Sequence, residues 1–222
     1  MGFVIMSGVG SKVTVPIAGT PLSTFAEGSL IKINESGSPV EFYVAKHNYE
    51  QELNSARRTL VVRKDCYDKR AWNSSGINTY ESSTVDSWLN GDYKHLLDPA
   101  VQTLMGTTKF KYTPGNGNNN VGMLERAIFL LSVTELGGED QYANTEGTAL
   151  DIASALMIAY MSGSACTQWL RTPYADTGNN GSFCVYSNGV ITHFFCTDSE
   201  GIRPAFTLPA NTKIDDNGLV VA

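Results

Sequence analysis

The sequence predicts an α+β fold with short strands, two or three helices and long loops. Two observations lead to this class. The chain of 222 residues is rich in Gly, Asn, Ser and Thr, a composition that favours turns and short strands over a helical bundle. Its strand-like and helix-like segments alternate without a regular βαβ rhythm, which argues against a doubly wound parallel sheet.

The first strands are predicted early in the chain. Residues 29–34 and 39–47 alternate apolar and polar side chains, and residues 35–39 between them have the composition of a turn. Residues 59–63 are mostly apolar or β-branched and predict a third, more buried strand. A short apolar run at residues 126–132 is typical of another buried strand.

The helices are predicted from capping residues and spacing. Hydroxyl side chains precede an apolar repeat over residues 84–97, which Gly91 interrupts, so this helix is expected to be kinked. Asp98 followed by a proline predicts the start of a second helix that runs to Met105. Apolar side chains at helical spacing predict a third, buried helix over residues 149–161.

Residues 1–26 have little periodicity and predict an extended arm that precedes a single domain at residues 27–222. The arm is either a floppy terminus or an assembly or attachment segment. It lacks the cationic leader and apolar core of a secretory signal, so synthesis in the cytoplasm is expected. No stretch reaches the roughly 18 apolar residues of a membrane helix, so no membrane insertion is expected.

The charge and the motifs argue against several function classes. A net charge of −6 without a basic run argues against nucleic-acid binding. The three histidines, His47, His95 and His193, have no metal-binding spacing, and no phosphate-binding loop, dinucleotide fingerprint or nucleophile elbow occurs. We therefore predict a protein that is not an enzyme and has no catalytic residues, metal or cofactor.

A hairpin is predicted between two short sequence motifs that combine apolar side chains with an arginine, at residues 169–171 and 201–206. Asn188-Gly189 between strand-like runs is a strong signal for a two-residue turn. That register places Cys184 opposite His193 and puts Cys196 on the other face, so we predict that the four cysteines are free thiols. A catalytic pairing of Cys184 with His193 is the one nucleophile–base arrangement that this register allows.

The same register sorts the hairpin into two predicted faces. Phe183, Val185, Thr192 and Phe194 are assigned to the core, and the opposite face is expected to bind a ligand. Aromatic rings there would supply contact area, and small polar side chains would supply hydrogen bonds. The alternatives are that both faces are buried or that these residues are ordinary surface. The predicted ligand-binding residues are Tyr174, Asp176, Asn179, Asn180, Cys184, Tyr186, Ile191, His193, Phe195, Thr197 and Asp198.

Two arginines flank this segment. Arg171 and Arg203 could bind an anionic ligand, but arginines inside such words are expected to be structural and to bond loop carbonyls and a carboxylate. The acidic residues near Asp198 and Asp215 could bind calcium, but we expect turns there.

Several words in this order carry a resemblance to a known family. They are Arg70-Ala71-Trp72-Asn73-Ser74-Ser75, Asp86-Ser87-Trp88-Leu89-Asn90, Ile128-Phe129-Leu130-Leu131-Ser132, Trp169-Leu170-Arg171-Thr172-Pro173, Val185-Tyr186-Ser187-Asn188-Gly189 and Gly201-Ile202-Arg203-Pro204-Ala205. Over about residues 27–222 the chain resembles an uncharacterised domain family that is widespread in bacterial and tailed-phage genomes. The W-L-R and G-x-R-P words are also similar to C-type-lectin-like folds of the formylglycine-generating-enzyme type.

Variable proteins of diversity-generating retroelements share that lectin-like fold. The resemblance therefore implies a C-type-lectin-like display protein on a phage or bacterial surface, which binds a host-surface protein or glycan as a homo-oligomer. The formylglycine-generating relatives need a cysteine pair, and in the predicted register Cys184 and Cys196 do not face each other. The alternative is a structural component of a virion in which the same surface contacts other subunits.

One property of the sequence bears on diversification. Residues 170–199 contain no Lys, Glu, Gln, Met or Trp, although 33 of the 222 residues are of these types. In such systems the template adenines typically sit in codons whose randomisation cannot give those five residues. We therefore expect residues 170–199 to be the diversified segment.

Overall fold

A computed structural model describes residues 18–55, 57–176 and 178–221 of the chain. Strand accounts for 38% and helical structure for 16%. The strands, in chain order, are β1 (Thr20–Pro21), β2 (Leu30–Glu35), β3 (Ser38–Lys46), β4 (Arg58–Arg63), β5 (Lys69–Ala71), β6 (Thr108–Tyr112), β7 (Gly122–Arg126), β8 (Ile128–Phe129), β9 (Ala159–Met161), β10 (Ser164–Cys166), β11 (Gln168–Pro173), β12 (Gly181–Val185), β13 (Ile191–Phe195), β14 (Ser199–Gly201), β15 (Ala205–Pro209), β16 (Lys213–Ile214) and β17 (Val220–Val221).

The helical segments are short. The α-helices are α1 (Thr84–Trp88), α2 (Pro99–Met105) and α3 (Ala153–Leu156), the 3₁₀ turns are Leu22–Thr24, Tyr80–Ser82, Lys94–Leu96 and Thr134–Leu136, and Leu89–Tyr93 is a π-helical turn. The predicted second helix is confirmed, and its proline occupies the first turn after the Asp98 cap. Within the described ranges, no helix is long and apolar enough to cross a membrane.

The predicted α+β, C-type-lectin-like class is wrong, because the protein is β-rich with several sheets. The largest error is the helix predicted over residues 149–161, of which only α3 is helical. Ser162 and Gly163 have φ values of 52° and 82°, and together they form a tight hairpin turn that pairs β9 with β10. Residues 159–161 are therefore drawn into a two-stranded ribbon.

Two five-stranded sheets form the body of the molecule. The first has the order β2-β3-β4-β15-β8 and is antiparallel throughout. It confirms the strands predicted at residues 29–34, 39–47 and 59–63. The second has the order β13-β12-β11-β14-β5, in which β11 and β14 are parallel. Both sheets contribute side chains to one buried cluster, among them Phe42 and Phe206 from the first and Trp169 and Phe183 from the second.

Residues 1–17 of the predicted arm lie outside the described residues. The described part of that arm packs on the domain, because β1 pairs with β16 and Leu22 is fully buried. The backbone N–H of Leu22 also donates to the carbonyl of Thr212 at 2.8 Å.

Candidate functional site

The turn of the β12–β13 hairpin sets the geometry of the candidate site. The N–H of Tyr186 donates to the carbonyl of Val190, and the N–H of Gly189 donates to the carbonyl of Tyr186, each at 2.8 Å. Gly189 has a φ of 86°, whereas Asn188 does not have a positive φ. The loop therefore has three residues with a left-handed glycine at the third position, and the predicted two-residue turn is wrong.

This longer loop shifts the predicted pairing by one residue. Cys184 lies opposite Thr192, and Phe183 lies opposite His193. Because side chains alternate between the two faces of a strand, the shift exchanges the faces of β13 relative to β12. Tyr186 therefore lies on the opposite face from His193 and Phe195, and the predicted Cys184–His193 pair does not form.

An aromatic cluster lies on the face that carries His193. We call Tyr142, Tyr174, His193 and Phe195 the aromatic ledge. The rings of Tyr174 and His193 stack with centroids 3.7 Å apart and an interplanar angle of 14°, and the rings of Tyr142 and Tyr174 are 4.7 Å apart. Burial and the nearby Tyr142 raise the pKa of Tyr174, so its phenol stays neutral at physiological pH.

A glycine makes room for this arrangement. Gly181 pairs with Phe195, and a side-chain carbon at residue 181 would lie 3.3 Å from the Cβ of Tyr174. Tyr174 can therefore lie close against β12, where it makes an edge contact with Phe183 at 5.3 Å. Phe183 thus supports the ledge from the core.

The side chains of β13 are more exposed to solvent than those of the neighbouring strand β12. All five residues of β12 are buried, whereas the residues of β13 are partly or fully exposed. The side chain of Phe195 is 61% exposed, which is the highest value among the exposed large apolar side chains in the described ranges. An exposed aromatic residue next to a stacked pair is a typical contact surface for a ligand.

The loop between β11 and β12 is built by residues that were predicted to bind a ligand. A side-chain oxygen of Asp176 accepts hydrogen bonds from the N–H groups of Gly178 and Asn179 at 3.0 and 3.2 Å. The buried Asn78 amide donates to the carbonyl of Tyr174 at 2.9 Å. Asp176 therefore has a structural role in shaping the loop, while the side chain of Asn180 stays exposed.

Asp198 caps the exposed edge of β13. Its carboxylate accepts a hydrogen bond from the N–H of Phe195 at 3.1 Å, and its own N–H donates to the carbonyl of Phe195 at 2.9 Å. Of the remaining predicted residues, Thr197 is exposed and Ile191 is half-buried. The predicted turn at Asp198 is confirmed.

The opposite face of the hairpin carries a second exposed surface. Tyr186, Asn188, Val190, Thr192 and Phe194 line a shallow, open cavity of about 380 Å³. Thr192 and Phe194 were assigned to the core only because of the register error. A glycine that follows Asn can also be the third residue of a three-residue loop, so the sequence contained a signal for the correct register. No pattern in the sequence pointed to Tyr142.

Cys184 is not available to a ligand. It is fully buried, and burial raises the pKa of its thiol to about 12. The prediction that it contributes to the binding face is wrong. The four cysteines are free thiols, as predicted.

Arg171 belongs to a buried ionic network. Its side chain is fully buried and donates to a carboxylate oxygen of Glu135 at 2.6 Å and to the carbonyl of Leu130 at 2.9 Å. Glu146 lies on the other side and accepts from the hydroxyl of Thr172 at 2.8 Å. Burial raises the pKa of Glu146, and Arg171 opposes that shift. The predicted structural role of Arg171 is confirmed.

Arg203 is also buried and structural. It donates to the carbonyls of Arg63 and Leu156, each at 2.7 Å, and to the side-chain oxygen of Gln168 at 3.3 Å. Its Nη2 has no hydrogen-bond partner, and burial lowers the pKa of Arg203 to about 10. The two flanking arginines therefore hold the scaffold and do not face the ledge.

Titratable groups also line a cavity of about 640 Å³, among them Lys46, Glu50 and Lys111. Burial and the nearby Glu135 raise the pKa of Glu50. Within residues 18–55, 57–176 and 178–221, no three His, Cys, Asp or Glu side chains group in a way that could hold a metal ion. Asp215 instead accepts the N–H groups of Asn217 and Leu219 in a turn, as predicted.

Comparisons with known proteins identify a family. Residues 56–210 match the family described as "Domain of unknown function (DUF6273)", and the chain belongs to that family. No curated protein and no solved structure matches the chain. The comparisons therefore do not link the chain to the lectin-like or retroelement proteins that its sequence resembles.

Proposed function

We propose that this member of the DUF6273 family is a non-catalytic ligand-binding protein, displayed on a phage or bacterial surface, whose aromatic ledge binds a host-surface protein or glycan. The observation that carries the proposal is the contrast between β12 and β13. Phe195 is 61% exposed beside the stacked Tyr174–His193 pair, although the next strand is wholly buried.

The chemistry of the ledge suits such ligands. Aromatic rings pack against the apolar faces of sugar rings and against protein side chains, and they lose little conformational entropy when they do so. Asn180 and Thr197 are exposed and could add hydrogen bonds. The open geometry favours binding of a surface group over enclosure of a small substrate.

The structure limits which residues could be diversified. Residues 170–173 and 181–185 are buried, so changes there would alter the core. The exposed positions of the segment lie in residues 178–180 and along residues 186–199. We propose that any variation that changes ligand choice is concentrated there. The codons of residues 170–199, and a neighbouring reverse transcriptase with a matching template repeat, would test this directly.

A paired set of variants tests the binding surface. Labelled wild-type protein would be applied to a glycan array and to a panel of intact bacterial cells. The double variant His193→Ala/Phe195→Ala should lose binding by at least about tenfold, because exposed aromatic anchors often contribute more than 1.4 kcal/mol each. Its melting temperature should stay close to that of the wild type.

The control is Tyr186→Ala/Val190→Ala, which removes two exposed apolar side chains from the opposite face. It should bind as well as the wild type. Equal binding by wild type and the ledge variant would refute the ledge as the binding surface. Loss of binding only in the control variant would move the site to the opposite face.

A structural virion component is the second candidate. The observation that favours it is the apolar surface of the opposite face, where Tyr186 and Val190 are 44% and 56% exposed and Ile158 lies beside Gly189. A neighbouring subunit could cover this surface, and oligomerisation would also raise the avidity of the ledge for a repeated ligand. Hydrogen exchange on assembled particles would show which of the two faces becomes protected.

A further inference from the structure

Two cysteines that are far apart in the sequence meet beneath the β9–β10 ribbon. The Sγ atoms of Cys66 and Cys166 are 2.8 Å apart, and one thiol donates a hydrogen bond to the other. Together with Ala159 they form a small apolar cluster that is separate from the main core. Only 4% of Cys66 and 6% of Cys166 is exposed.

The backbone fixes the position of both sulfurs. The N–H of Cys66 donates to the carbonyl of Tyr160 at 3.0 Å, and Cys166 pairs with Ala159 across the ribbon. A side-chain carbon at Gly201 would lie 2.6 Å from the sulfur of Cys66, so only glycine at that position leaves room for this thiol. The pair is therefore held in contact by three separate strands.

The surroundings favour loss of a proton from Cys166. The hydrogen bond with Cys66 lowers the pKa of Cys166 and outweighs the opposing effect of burial, and the charges of Lys69 and Arg203 lower it further. The same hydrogen bond raises the pKa of Cys66, so Cys166 is the thiol that ionises first. Arg203 is buried nearby with its Nη2 unpaired, which leaves its positive charge without a carboxylate partner.

A cavity reaches the pair from the side of Cys66. It has a volume of about 340 Å³ and is lined by Cys66, Arg63, Tyr160 and Gly163 among others. A disulfide requires two sulfurs about 2.05 Å apart, so closing the gap needs a movement of less than 1 Å. An oxidant that reaches sulfurs with so little exposure must be small.

We propose that Cys66 and Cys166 form a modification site at which a hydroperoxide oxidises the two thiols to an intramolecular disulfide. The thiolate of Cys166 attacks a peroxide oxygen, the O–O bond breaks, and hydroxide leaves with the electron pair. The sulfenic acid on Cys166 is then attacked by the sulfur of Cys66, which loses its proton as water is expelled. In total, two thiols give two electrons and two protons, and one hydrogen peroxide becomes two waters.

The wild-type chain tests the proposal through its tryptic peptides. Cys66 lies alone in residues 65–69, Cys166 lies alone in residues 127–171, and Cys184 and Cys196 share residues 172–213. Native protein would be treated with hydrogen peroxide, alkylated with N-ethylmaleimide and digested. We expect a linked pair of the first two peptides, which a dithiol reductant separates again.

The other two cysteines are the internal control. Burial raises the pKa of both Cys184 and Cys196 to about 12, so their thiols should react at least about tenfold more slowly. The variant Cys66→Ser should instead accumulate a sulfenic acid on Cys166 that dimedone traps. The linked form should melt about 5–15 °C higher than the reduced form, because it closes a loop of about 100 residues.

The outcomes separate clearly. A linked peptide that forms faster than the control thiols react supports the proposal. The proposal is overturned if residues 65–69 and 127–171 remain unlinked, or if they link only after urea has unfolded the chain. Oxidation of all four cysteines at one rate would also overturn it.

Discussion

Strands β12 and β13 are hydrogen-bonded neighbours in one sheet, yet they differ in almost every other property. β12 is buried along its whole length beside β11, which carries Arg171. This arginine pairs with the buried carboxylates of Glu135 and Glu146, which lie outside the strand. β13 is the outer strand, and its side chains are partly exposed on both faces. Adjacent strands are about 4.8 Å apart, so the change from fixed core to usable surface occurs within one strand spacing.

The difference shows where change can be tolerated. A substitution of Arg171 in β11 disturbs charges that have no access to water, and its cost is the desolvation of the groups left unpaired. A substitution on β13 exchanges one water-exposed side chain for another. A binding surface on the outer strand can therefore vary without loss of the fold.

The strongest test of the buried strands β11 and β12 is Arg171→Met. It leaves Glu135 and Glu146 buried without their cation, so the free energy of unfolding should fall by about 3–5 kcal/mol. Urea denaturation followed by tryptophan fluorescence measures this loss. A fall of less than about 1 kcal/mol would show that the network does not hold the inner strands.

Arg203→Met is the matched control for this variant. Arg203 bonds carbonyl and amide oxygens and makes no ion pair within the described ranges. Its removal leaves no buried carboxylate behind, so the loss should be smaller, about 1–3 kcal/mol. Equal losses in the two variants would contradict the special role of the carboxylates.

A pH titration tests whether buried charge is costly elsewhere in the interior. Asp86 is buried and pairs with Arg126 at 2.8 Å, and burial raises its pKa to about 6. A raised carboxyl pKa means that stability is fully present below the unfolded pKa and is lost as pH rises through the folded pKa. From about pH 3 to 7, Asp86 should therefore lower the free energy of unfolding by about 3 kcal/mol in total.

The variant Asp86→Asn lacks this contribution. The difference in the free energy of unfolding between the wild type and Asp86→Asn should change across that pH range and become constant above it. A difference that stays constant from pH 4 to 7 would show that Asp86 titrates as an ordinary surface carboxyl.

Asp198→Ala tests the outer edge of β13, where the buried part of the sheet ends. It removes the acceptor for the N–H of Phe195 at the outer edge, so stability should fall by only about 1 kcal/mol. Amide exchange of Phe195 should become faster, as measured by NMR. Asp198→Asn keeps an acceptor oxygen and should retain most of the protection, and equally fast exchange in both variants would rule out this cap.

The sequence predicted the buried strands better than it predicted the exposed hairpin. The alternation of apolar and polar side chains and the β-branched residues predicted β2, β3 and β4. The W-L-R and G-x-R-P motifs predicted the structural arginines. The predicted faces of the β12–β13 hairpin depended on the length of one loop. Asn188-Gly189 is compatible with loops of two or three residues. A one-residue error there moved Thr192 and Phe194 to the wrong face.

The predicted α+β class was wrong for a related reason. Apolar spacing in residues 149–161 fits a helix, but a local Ser162-Gly163 turn gives residues 159–161 hydrogen-bond partners in a ribbon. Tyr142 joins the ledge from a loop that is distant in sequence, where its carbonyl accepts a hydrogen bond from the N–H of Ala175 at 3.0 Å. Local pattern therefore cannot locate such a residue.

The smallest effect on stability is expected for Phe195→Lys. Its side chain is 61% exposed and pairs across the sheet with Gly181, so a lysine can extend into water without losing a packed partner. The free energy of unfolding should change by no more than about 0.5 kcal/mol, and a charged residue also protects an exposed strand edge from pairing with other chains. The same change should remove an aromatic anchor from the ledge and weaken ligand binding. A loss of more than about 2 kcal/mol in urea denaturation would show that Phe195 packs into the core, and the contrast between β12 and β13 would then not hold.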